Sequence, residues 1–249
     1  MWQILSLNQK EYLDWVHVPF HYKEEPKYAT FFQISALEPL SKTLWWVVPT
    51  VWVPVSIYFA APGLAAAASG ALPWLRTGVL FGLGMLLWTW IEYSLHRWAF
   101  HLDEWVPDNR WCRLAHFLLH GVHHKIPMDR YRLVMPPALA AVIAVFVYNV
   151  MRVALLSTGV LSNVMDFHMV WAGGIVGYMC YDMLHYAEHH ARLEKVPVIG
   201  NYLTFMKKYH MKHHYGDAGS HQLGYGITST LWDHVFGTTL DVSTSKKVA

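Results

Sequence analysis

Uncharged, strongly apolar stretches alternate with polar, histidine-containing segments along this chain. Four stretches contain no Asp, Glu, Lys or Arg, and they lie at 43–75, 77–91, 133–151 and 167–181. A helix needs about 20 mostly apolar residues to cross the hydrocarbon core of a membrane. The first and third stretches meet that length directly, and the second and fourth meet it if each helix continues past one acidic residue. The pattern therefore predicts four membrane-spanning helices, at roughly 44–62, 77–95, 133–152 and 168–186.

The basic residues are distributed unevenly between the segments that separate these helices. With four spans both termini lie on one side of the membrane, and 17 of the 19 Lys and Arg residues lie on that side. Because Lys and Arg concentrate in cytosolic loops, we expect both termini in the cytosol. The predicted fold is an all-α integral membrane protein with four transmembrane helices and a cytosolic helical cap. We expect a single domain over 1–249, divided into a cytosolic N-terminal segment at 1–43, a membrane region at 44–186 with a cytosolic insertion at 96–132, and a cytosolic cap and tail at 187–249.

Composition supports a membrane protein and narrows the possible partners. Hydrophobic residues make up 54% of the chain and charged residues 14%, values that lean away from an average soluble domain. The formal net charge of +2 is too small to indicate a nucleic-acid partner. The chain has two cysteines, Cys112 and Cys180, so we expect neither a disulfide scaffold nor a cysteine-based zinc site.

Histidines cluster in the polar segments. Ten of the 17 histidines fall in four short groups, which are His96 and His101; His120, His123 and His124; His185 and His189; and His210, His213 and His214. Offsets of three and four place side chains on one face of a helix, and neutral imidazole is the commonest metal ligand. Ten imidazoles are too many for one metal ion, so the pattern predicts two metal ions with room for a small molecule. His116, four residues before His120, is left outside the predicted ligand set.

Two polar residues precede the third group by about one helical turn. Tyr181 and Asp182 are candidate contacts for the polar end of a substrate, although Asp182 could equally orient a histidine ligand. Glu92, four residues before His96, has the same two roles open to it, together with that of a charge at the membrane interface. His17 and His21 are expected at the surface, and replacing His17 with Ala is expected to have little effect.

The motifs resemble those of the integral-membrane fatty acid hydroxylases, in particular the fatty acid 2-hydroxylases of the fatty acid hydroxylase and sterol desaturase superfamily. The resemblance covers roughly residues 80–240. It depends on the four histidine groups, on MDRYRLVMPP at 128–137 and on LGYGITSTLWDHVFGT at 223–238. It implies a four-span enzyme with a histidine-ligated dimetal centre, O2 as oxidant, and hydroxylation of the carbon beside an acyl carbonyl. The link from His189 to His210 and the loop at 217–221 look longer than is usual in that family.

The resemblance also implies what the enzyme takes from outside the chain. Oxidising an unactivated C–H bond needs a metal that activates O2, so two iron ions are expected in the working enzyme. Zinc also binds histidine-only sites and could be present after purification. Many relatives carry a fused cytochrome b5 domain, but this sequence has no His-Pro-Gly-Gly motif, so a separate cytochrome b5 or similar electron donor is expected. The expected substrate is a fatty acyl lipid, free or within a sphingolipid such as ceramide, among the surrounding membrane lipids.

The last residues match the pattern of a targeting signal. Lys246 and Lys247 stand close to the C-terminus, as in the di-lysine signals that return membrane proteins to the endoplasmic reticulum. A multi-pass protein of the endoplasmic reticulum membrane is therefore expected, and the alternative is a solvated basic tail.

Two other functions remain open at this point. The same scaffold could oxidise sterol methyl groups or hydroxylate or desaturate sphingoid bases, although YRLVMPP and LGYGITS favour 2-hydroxylation. A histidine-rich metal-binding or transport protein would hold ionisable ligands near the middle of the bilayer, whereas these groups lie at the ends of the predicted spans or beyond them. The assignment of each histidine to one of the two metals also stays open, as do the roles of His116, His190 and His221.

Overall fold

The computed structural model describes residues 2–22, 28–102, 105–217 and 219–243, and it contains helices but no β-strand within those ranges. The α-helices are α1 (Gln9–Val16), α2 (Val47–Ala68), α3 (Trp74–Leu95), α4 (Arg110–His116), α5 (Val122–Lys125), α6 (Pro137–Ser157), α7 (Val164–His190), α8 (Gly200–Tyr215) and α9 (Leu231–Phe236). Two π-helical turns, His96–Phe100 after α3 and Phe117–Gly121 between α4 and α5, interrupt this order. Short 3₁₀ segments lie at Trp2–Ser6, Ser35–Ser41, Leu193–Lys195 and Ser220–Gln222. The prediction of an all-helical fold is confirmed.

Three helices of the described residues are long and apolar enough to cross a membrane, and they are Val47–Ala68, Trp74–Phe100 and Pro137–Ser157. They correspond to the first three predicted spans, with shifted ends. The third helix begins at Pro137 rather than at 133, because Pro136 and Pro137 follow each other there and a proline is favoured at the first position of a helix. The first continues past 62 to Ala68, since the alanines at 65–68 favour a helix.

The fourth predicted span falls in α7, a continuous helix of 27 residues that is long enough to cross a membrane. α7 is not one of the three strongly apolar helices. It carries Asp166, Asp182 and Glu188 together with four histidines, which lowers its apolar character. The four-span arrangement and the cytosolic cap therefore stay predictions.

The chain divides into two compact units. The first, here called the histidine unit, comprises Met1–Thr43, Glu92–Val134 and Leu184–Ala249. The second, here called the apolar unit, comprises Leu44–Ile91 and Met135–Met183. All ten predicted metal ligands belong to the histidine unit, whereas Tyr181 and Asp182 belong to the apolar unit.

In the histidine unit the N-terminal segment packs against the helix that carries the second histidine group. Tyr12 and Val16 of α1 are fully buried, in one cluster with Phe117 and Val122. Burying an apolar side chain of this size contributes about 1.5–3 kcal/mol to folding. α1 is therefore an integral part of the unit.

A buried ion network fixes the segment between α1 and α2 in the same unit. The Arg132 guanidinium contacts Glu38 at 2.7 Å and Asp129 at 3.0 Å. Asp129 also accepts a hydrogen bond from Ala29 N (2.9 Å), and Glu38 accepts one from Phe31 N (2.5 Å). The network joins residues 29–38 to the chain that follows α5.

In the apolar unit, glycines allow α3 and α7 to approach each other closely. A Cβ atom at Gly84 would lie 1.9 Å from Val170 O, and one at Gly173 would lie 1.9 Å from Phe81 O. Small residues of this kind let helix backbones pack together in membranes. Ser56 of α2 donates a hydrogen bond to Ala172 O (3.1 Å), which adds α2 to the same packing.

Candidate metal centre

Two π-helical turns set the positions of the first histidines. In an α-helix, residues five apart point in directions about 140° apart, so His96 and His101 would face different sides. The wider turn at His96–Phe100 ends in a hydrogen bond from His101 N to His96 O (3.1 Å). This arrangement brings the two rings to a centroid separation of 4.9 Å. The second turn, Phe117–Gly121, carries His120. Such turns are rare and occur frequently at functional sites.

The ten predicted ligands lie in two groups of five within the described residues. In each group one nitrogen of every ring lies within 4.8 Å of the corresponding nitrogens of the others. Group A consists of His96, His101, His120, His124 and His213. Group B consists of His123, His185, His189, His210 and His214. Nine of the ten side chains are buried, and His101 is half-buried.

The distances within each group fit a shared cation better than hydrogen bonds between rings. In group A, His124 Nε2 lies 3.1 Å from His101 Nε2 and His120 Nε2, and 3.2 Å from His213 Nε2. A ring nitrogen offers either one hydrogen or one lone pair, so it cannot make three hydrogen bonds at once. Two nitrogens bound at right angles to one ion, each about 2.1 Å from it, lie about 3.0 Å apart.

Group B repeats this arrangement around one central ring. His210 Nε2 lies 3.0 Å from His185 Nε2, 2.9 Å from His189 Nε2 and 3.0 Å from His214 Nε2. His123 Nε2 lies 2.9 Å from His185 Nε2. The donor set of each group is all-imidazole, which suits iron and zinc alike.

Burial keeps these imidazoles in the form that binds metals. Loss of solvent lowers the pKa of each of eight histidines well below the usual value of 6.5, and repulsion between neighbouring rings lowers it further; the eight are His101, His120, His123, His124, His189, His210, His213 and His214. A metal binds the neutral imidazole, so these rings need not lose a proton before they coordinate.

Backbone carbonyls orient two rings of group A. His96 Nδ1 donates to Tyr225 O (2.6 Å), and His213 Nδ1 donates to Leu223 O (2.7 Å). Because a carbonyl can only accept, both rings carry their proton on Nδ1 and present the Nε2 lone pair to the group. Gly224, between the two carbonyls, has a φ of 70°, and a Cβ there would lie 2.4 Å from Leu240 Cδ1. The glycine is required by this turn.

Two buried carboxylates hold the loop that supplies those carbonyls. Glu92 accepts hydrogen bonds from Ile227 N (2.8 Å) and Thr228 N (2.9 Å). Asp233 accepts them from Tyr225 N (3.0 Å) and Gly226 N (2.9 Å). Among the roles that the sequence left open for Glu92, the structure favours the positioning role, since this residue holds the loop that orients two histidines. Asp233 was not among the residues predicted from the sequence.

His116 is a positioning residue that the predicted ligand set omits. Its Nε2 donates to Phe100 O (2.9 Å), and Tyr12 Oη donates to its Nδ1 (2.6 Å). The Phe100 carbonyl belongs to the π turn that ends at His101, and the Phe100 ring stacks on His120 at 5.2 Å. His116 therefore supports group A without belonging to it. The signal in the sequence was its offset of four from His120.

Two further histidines lie against group A. His17, expected at the surface, is half-buried, and its ring lies 5.4 Å from that of His124 and 6.2 Å from that of His101. The His221 ring stacks on it at 3.8 Å. His17 thus lies against group A instead of at an open surface position, because α1 ends beside the second histidine group, and the effect of His17→Ala stays a prediction. His21 is exposed, as expected.

Two further polar residues, Glu188 and His190, follow His185 in the last turn of α7. Glu188, next to His189, is fully buried, and neither of its oxygens has a hydrogen-bond partner among the described residues. This burial raises the pKa of its carboxyl well above the usual value. His190 is half-buried, and its ring lies 4.8 Å from that of Tyr186. Neither belongs to group A or group B.

The predicted substrate residues lie in the apolar unit. Asp182 is buried and accepts a hydrogen bond from Tyr178 Oη (3.1 Å), one turn earlier in α7. Tyr181 packs against Trp88, with ring centroids 5.9 Å apart. Their contact with a substrate stays a prediction.

Comparison with known proteins agrees with this site. The family model for fatty acid hydroxylase matches residues 81–238. The chain is 40% identical over 242 residues to the ceramide very long chain fatty acid hydroxylase of Saccharomyces cerevisiae, covering 96% of this chain and 56% of that protein. It is 38% identical to a dihydroceramide fatty acyl 2-hydroxylase of Arabidopsis thaliana, covering 96% and 90%. It is 35% identical to human fatty acid 2-hydroxylase, covering 96% and 62%.

A solved structure shares the fold. The hydroxylase domain visible in full-length scs7p superposes with a TM-score of 0.82 at 41% identity, covering 99% of this chain and 86% of that one. The chain thus spans 56% of the length of the Saccharomyces relative and 86% of the solved chain. Because the family model covers most of the chain and the Arabidopsis relative is matched over 90% of its length, the chain belongs to the fatty acid hydroxylase family.

Proposed function

We propose that the protein is a membrane-bound monooxygenase that uses O2 to hydroxylate carbon 2 of a fatty acyl chain, with ceramide-type sphingolipids as the substrate class. The observation that carries the proposal is the pair of five-histidine groups, side by side in one compact unit. The names of the relatives, which include ceramide and dihydroceramide fatty acyl hydroxylases, support the position and the substrate class. The three strongly apolar helices support a membrane setting for such an enzyme, where these lipids reside.

We propose group A and group B as the ligands of two iron ions. When bound, the metal pair supplies the activation of O2 that side chains alone cannot provide. Zinc fits the same donor set, so iron is chosen for its redox chemistry. The reaction also needs electrons, and a cytochrome b5 is the proposed donor.

The residues of the histidine unit have three tasks in this reaction. Glu92 and Asp233 hold the loop whose carbonyls orient His96 and His213. His116 fixes the π turn between His96 and His101. Burial of the ring nitrogens keeps bulk water away from the ligands, which limits unproductive side reactions.

The proposed setting is the endoplasmic reticulum membrane, with four spans and both termini in the cytosol. Helix α7 supplies the fourth span, and its last turns carry His185 and His189. Tyr181 and Asp182 would then contact the polar end of the lipid. The proposed di-lysine retrieval signal, Lys246 and Lys247, lies outside the described residues.

Mass spectrometry of lipids tests the reaction. The protein is expressed in cells that lack 2-hydroxylated sphingolipids, beside the His123→Ala and His213→Ala variants, one for each group. His21→Ala serves as the matched control, because His21 is exposed and belongs to neither group. We expect 2-hydroxyacyl ceramides from the unmodified chain and the control, and none from the two ligand variants. Products hydroxylated on the sphingoid base, or oxidised sterols, would contradict hydroxylation at carbon 2 of the acyl chain.

A further inference from the structure

Exposed apolar side chains concentrate at the start of α8 and along α9 in the histidine unit. They are Val198, Ile199, Tyr202, Phe205, Leu231 and Val235, here called the apolar face. Tyr202 Oη donates to Thr228 O (2.7 Å), which joins the start of α8 to the segment leading into α9. Contiguous exposed apolar surface marks a contact with a partner or a membrane.

The apolar face continues into the end of a membrane helix. Phe236, at the end of α9, stacks on Tyr93 with ring centroids 5.4 Å apart and contacts Trp98 at 5.7 Å. Tyr93 and Trp98 belong to Trp74–Phe100, one of the helices apolar enough to cross a membrane. A surface packed on the last turns of such a helix lies where the helix leaves the hydrocarbon. Trp and Tyr are the residues enriched at that level.

Val198 gives an independent reason to place lipid against this face. Its φ is 67°, the only positive φ of a non-glycine residue in the described part of the chain. A β-branched residue in that conformation is a strained outlier. The side chain is also fully exposed, at 103%, so packing does not offset the strain. Transfer of the valyl group from water to hydrocarbon is favourable and would offset part of it.

Basic residues flank the first part of the apolar face. Arg192 and Lys195 precede Val198, Lys208 follows Phe205, and all three side chains are exposed. Segments that lie in the plane of a membrane pair apolar side chains with Lys and Arg, which reach the lipid phosphates. This charge pattern fits a phospholipid surface better than an apolar protein partner.

We propose that the apolar face inserts into the lipid leaflet at the end of helix Trp74–Phe100, as an anchor in addition to the spanning helices. The helix that begins in this anchor, α8, ends in His210, His213 and His214. The anchor therefore sets the height of three histidines above the lipid. This inference needs neither a bound metal nor a hydroxylation reaction, so it stands or falls separately from the proposed function.

Site-specific fluorescence in nanodiscs tests the anchor. Cys112 and Cys180 are replaced by Ala, and a single cysteine is introduced by Val198→Cys or, as the matched control, by Val18→Cys. Val18 is 60% exposed in the same unit, in the segment after α1. Each cysteine is labelled with an environment-sensitive nitrobenzoxadiazole dye, in phosphatidylcholine discs with or without doxyl-labelled lipid. We expect doxyl lipid to quench the label at 198 several-fold more than the label at 18, and aqueous iodide to show the reverse preference.

Three outcomes would overturn the anchor. Equal iodide quenching at both positions would mean that the face is in water. Protection at position 198 from both doxyl lipid and iodide would mean that protein covers the face, either a second copy or another partner. The third test uses Phe205→Cys, labelled by a water-soluble thiol reagent, with and without Val198→Asp and Ile199→Asp. If the two Asp substitutions do not increase labelling at position 205, these residues do not hold the face in lipid.

Discussion

Replacing His116 with Phe keeps the bulk of the ring and removes its hydrogen bonds with Phe100 and Tyr12. The Phe100 carbonyl then loses its donor at 2.9 Å, and the Tyr12 hydroxyl loses its acceptor at 2.6 Å. A buried polar group left without a partner costs about 1–3 kcal/mol. Loss of these two buried hydrogen bonds is expected to lower the free energy of unfolding by about 2–4 kcal/mol.

The effect on the metal is expected to be selective for group A. The Phe100 carbonyl lies in the turn between His96 and His101, and both of these histidines belong to group A. The histidines of group B lie on other segments of the chain. Loss of a partner that orients metal ligands costs about 10–100-fold in metal affinity. We therefore expect His116→Phe to lose one of two metals per chain during a chelator titration that leaves both in the unmodified protein.

A double-mutant cycle separates positioning from general loss of packing. Tyr12→Phe combined with His116→Phe removes both members of one hydrogen bond, so the double variant should unfold at a higher temperature than the sum of the two single effects predicts. His116→Gln places an amide donor near the position of Nε2 and should restore part of the metal retention. If thermal stability falls in His116→Phe while both metals withstand the chelator as before, the positioning role is refuted.

Three further results are expected. His213→Ala and His210→Ala should each retain about one metal per chain by elemental analysis. Their activity should fall by more than the roughly 100-fold that is lost with a residue that only orients a ligand. Retention of two metals by both variants would contradict the two groups. Gly224→Ala should lower the free energy of unfolding by about 1–3 kcal/mol, because alanine is strained at a φ of 70° and its Cβ would meet Leu240. Gly159→Ala is the control, since φ is also positive there but no described atom lies within 4 Å of the added Cβ. The difference between the two melting temperatures measures the steric part of the effect. In metal-free protein, burial lowers the pKa of His123 and seven other ligands well below 6.5, so below that pH the unfolded chain binds more protons than the folded one. Thermal stability should therefore decline as the pH falls from about 6.5, until the buried rings themselves take up protons; a flat profile between pH 7.5 and 5.5 would contradict it.

The sequence predicted the helical class and the membership of the histidine set, because both follow from local periodicity. Charge-free runs of sufficient length are a property of the chain itself, and three of them became strongly apolar helices. The fourth helix formed, but its acidic residues made it less apolar than the others. That difference reflects the tertiary role of α7, whose last turns contribute histidines to group B.

The partition into groups A and B could not be predicted from spacing. His123 and His124 are adjacent yet join different groups, and so do His213 and His214. Which neighbour faces which group depends on how α5 and α8 are rotated in the folded unit.

The supporting residues are fixed by contacts between segments that are remote in sequence. Tyr225 meets His96 across 129 positions, and Tyr12 meets His116 across 104. No local pattern reports such contacts. Glu92, for which the sequence left three roles open, holds the 227–228 backbone only because the loop folds back onto α3.

In α5 and in α8, two adjacent histidines belong to different groups. Successive residues of an α-helix rise by about 1.5 Å and turn by about 100°. Each of the pairs 123/124 and 213/214 therefore links the two groups through a single peptide bond. The separation of the two groups, and of any two ions that they would hold, thus depends on the pitch of the helix rather than on the lengths of the loops. Changes in loop length, as in the link at 191–199, can then accumulate without changing the distance between group A and group B.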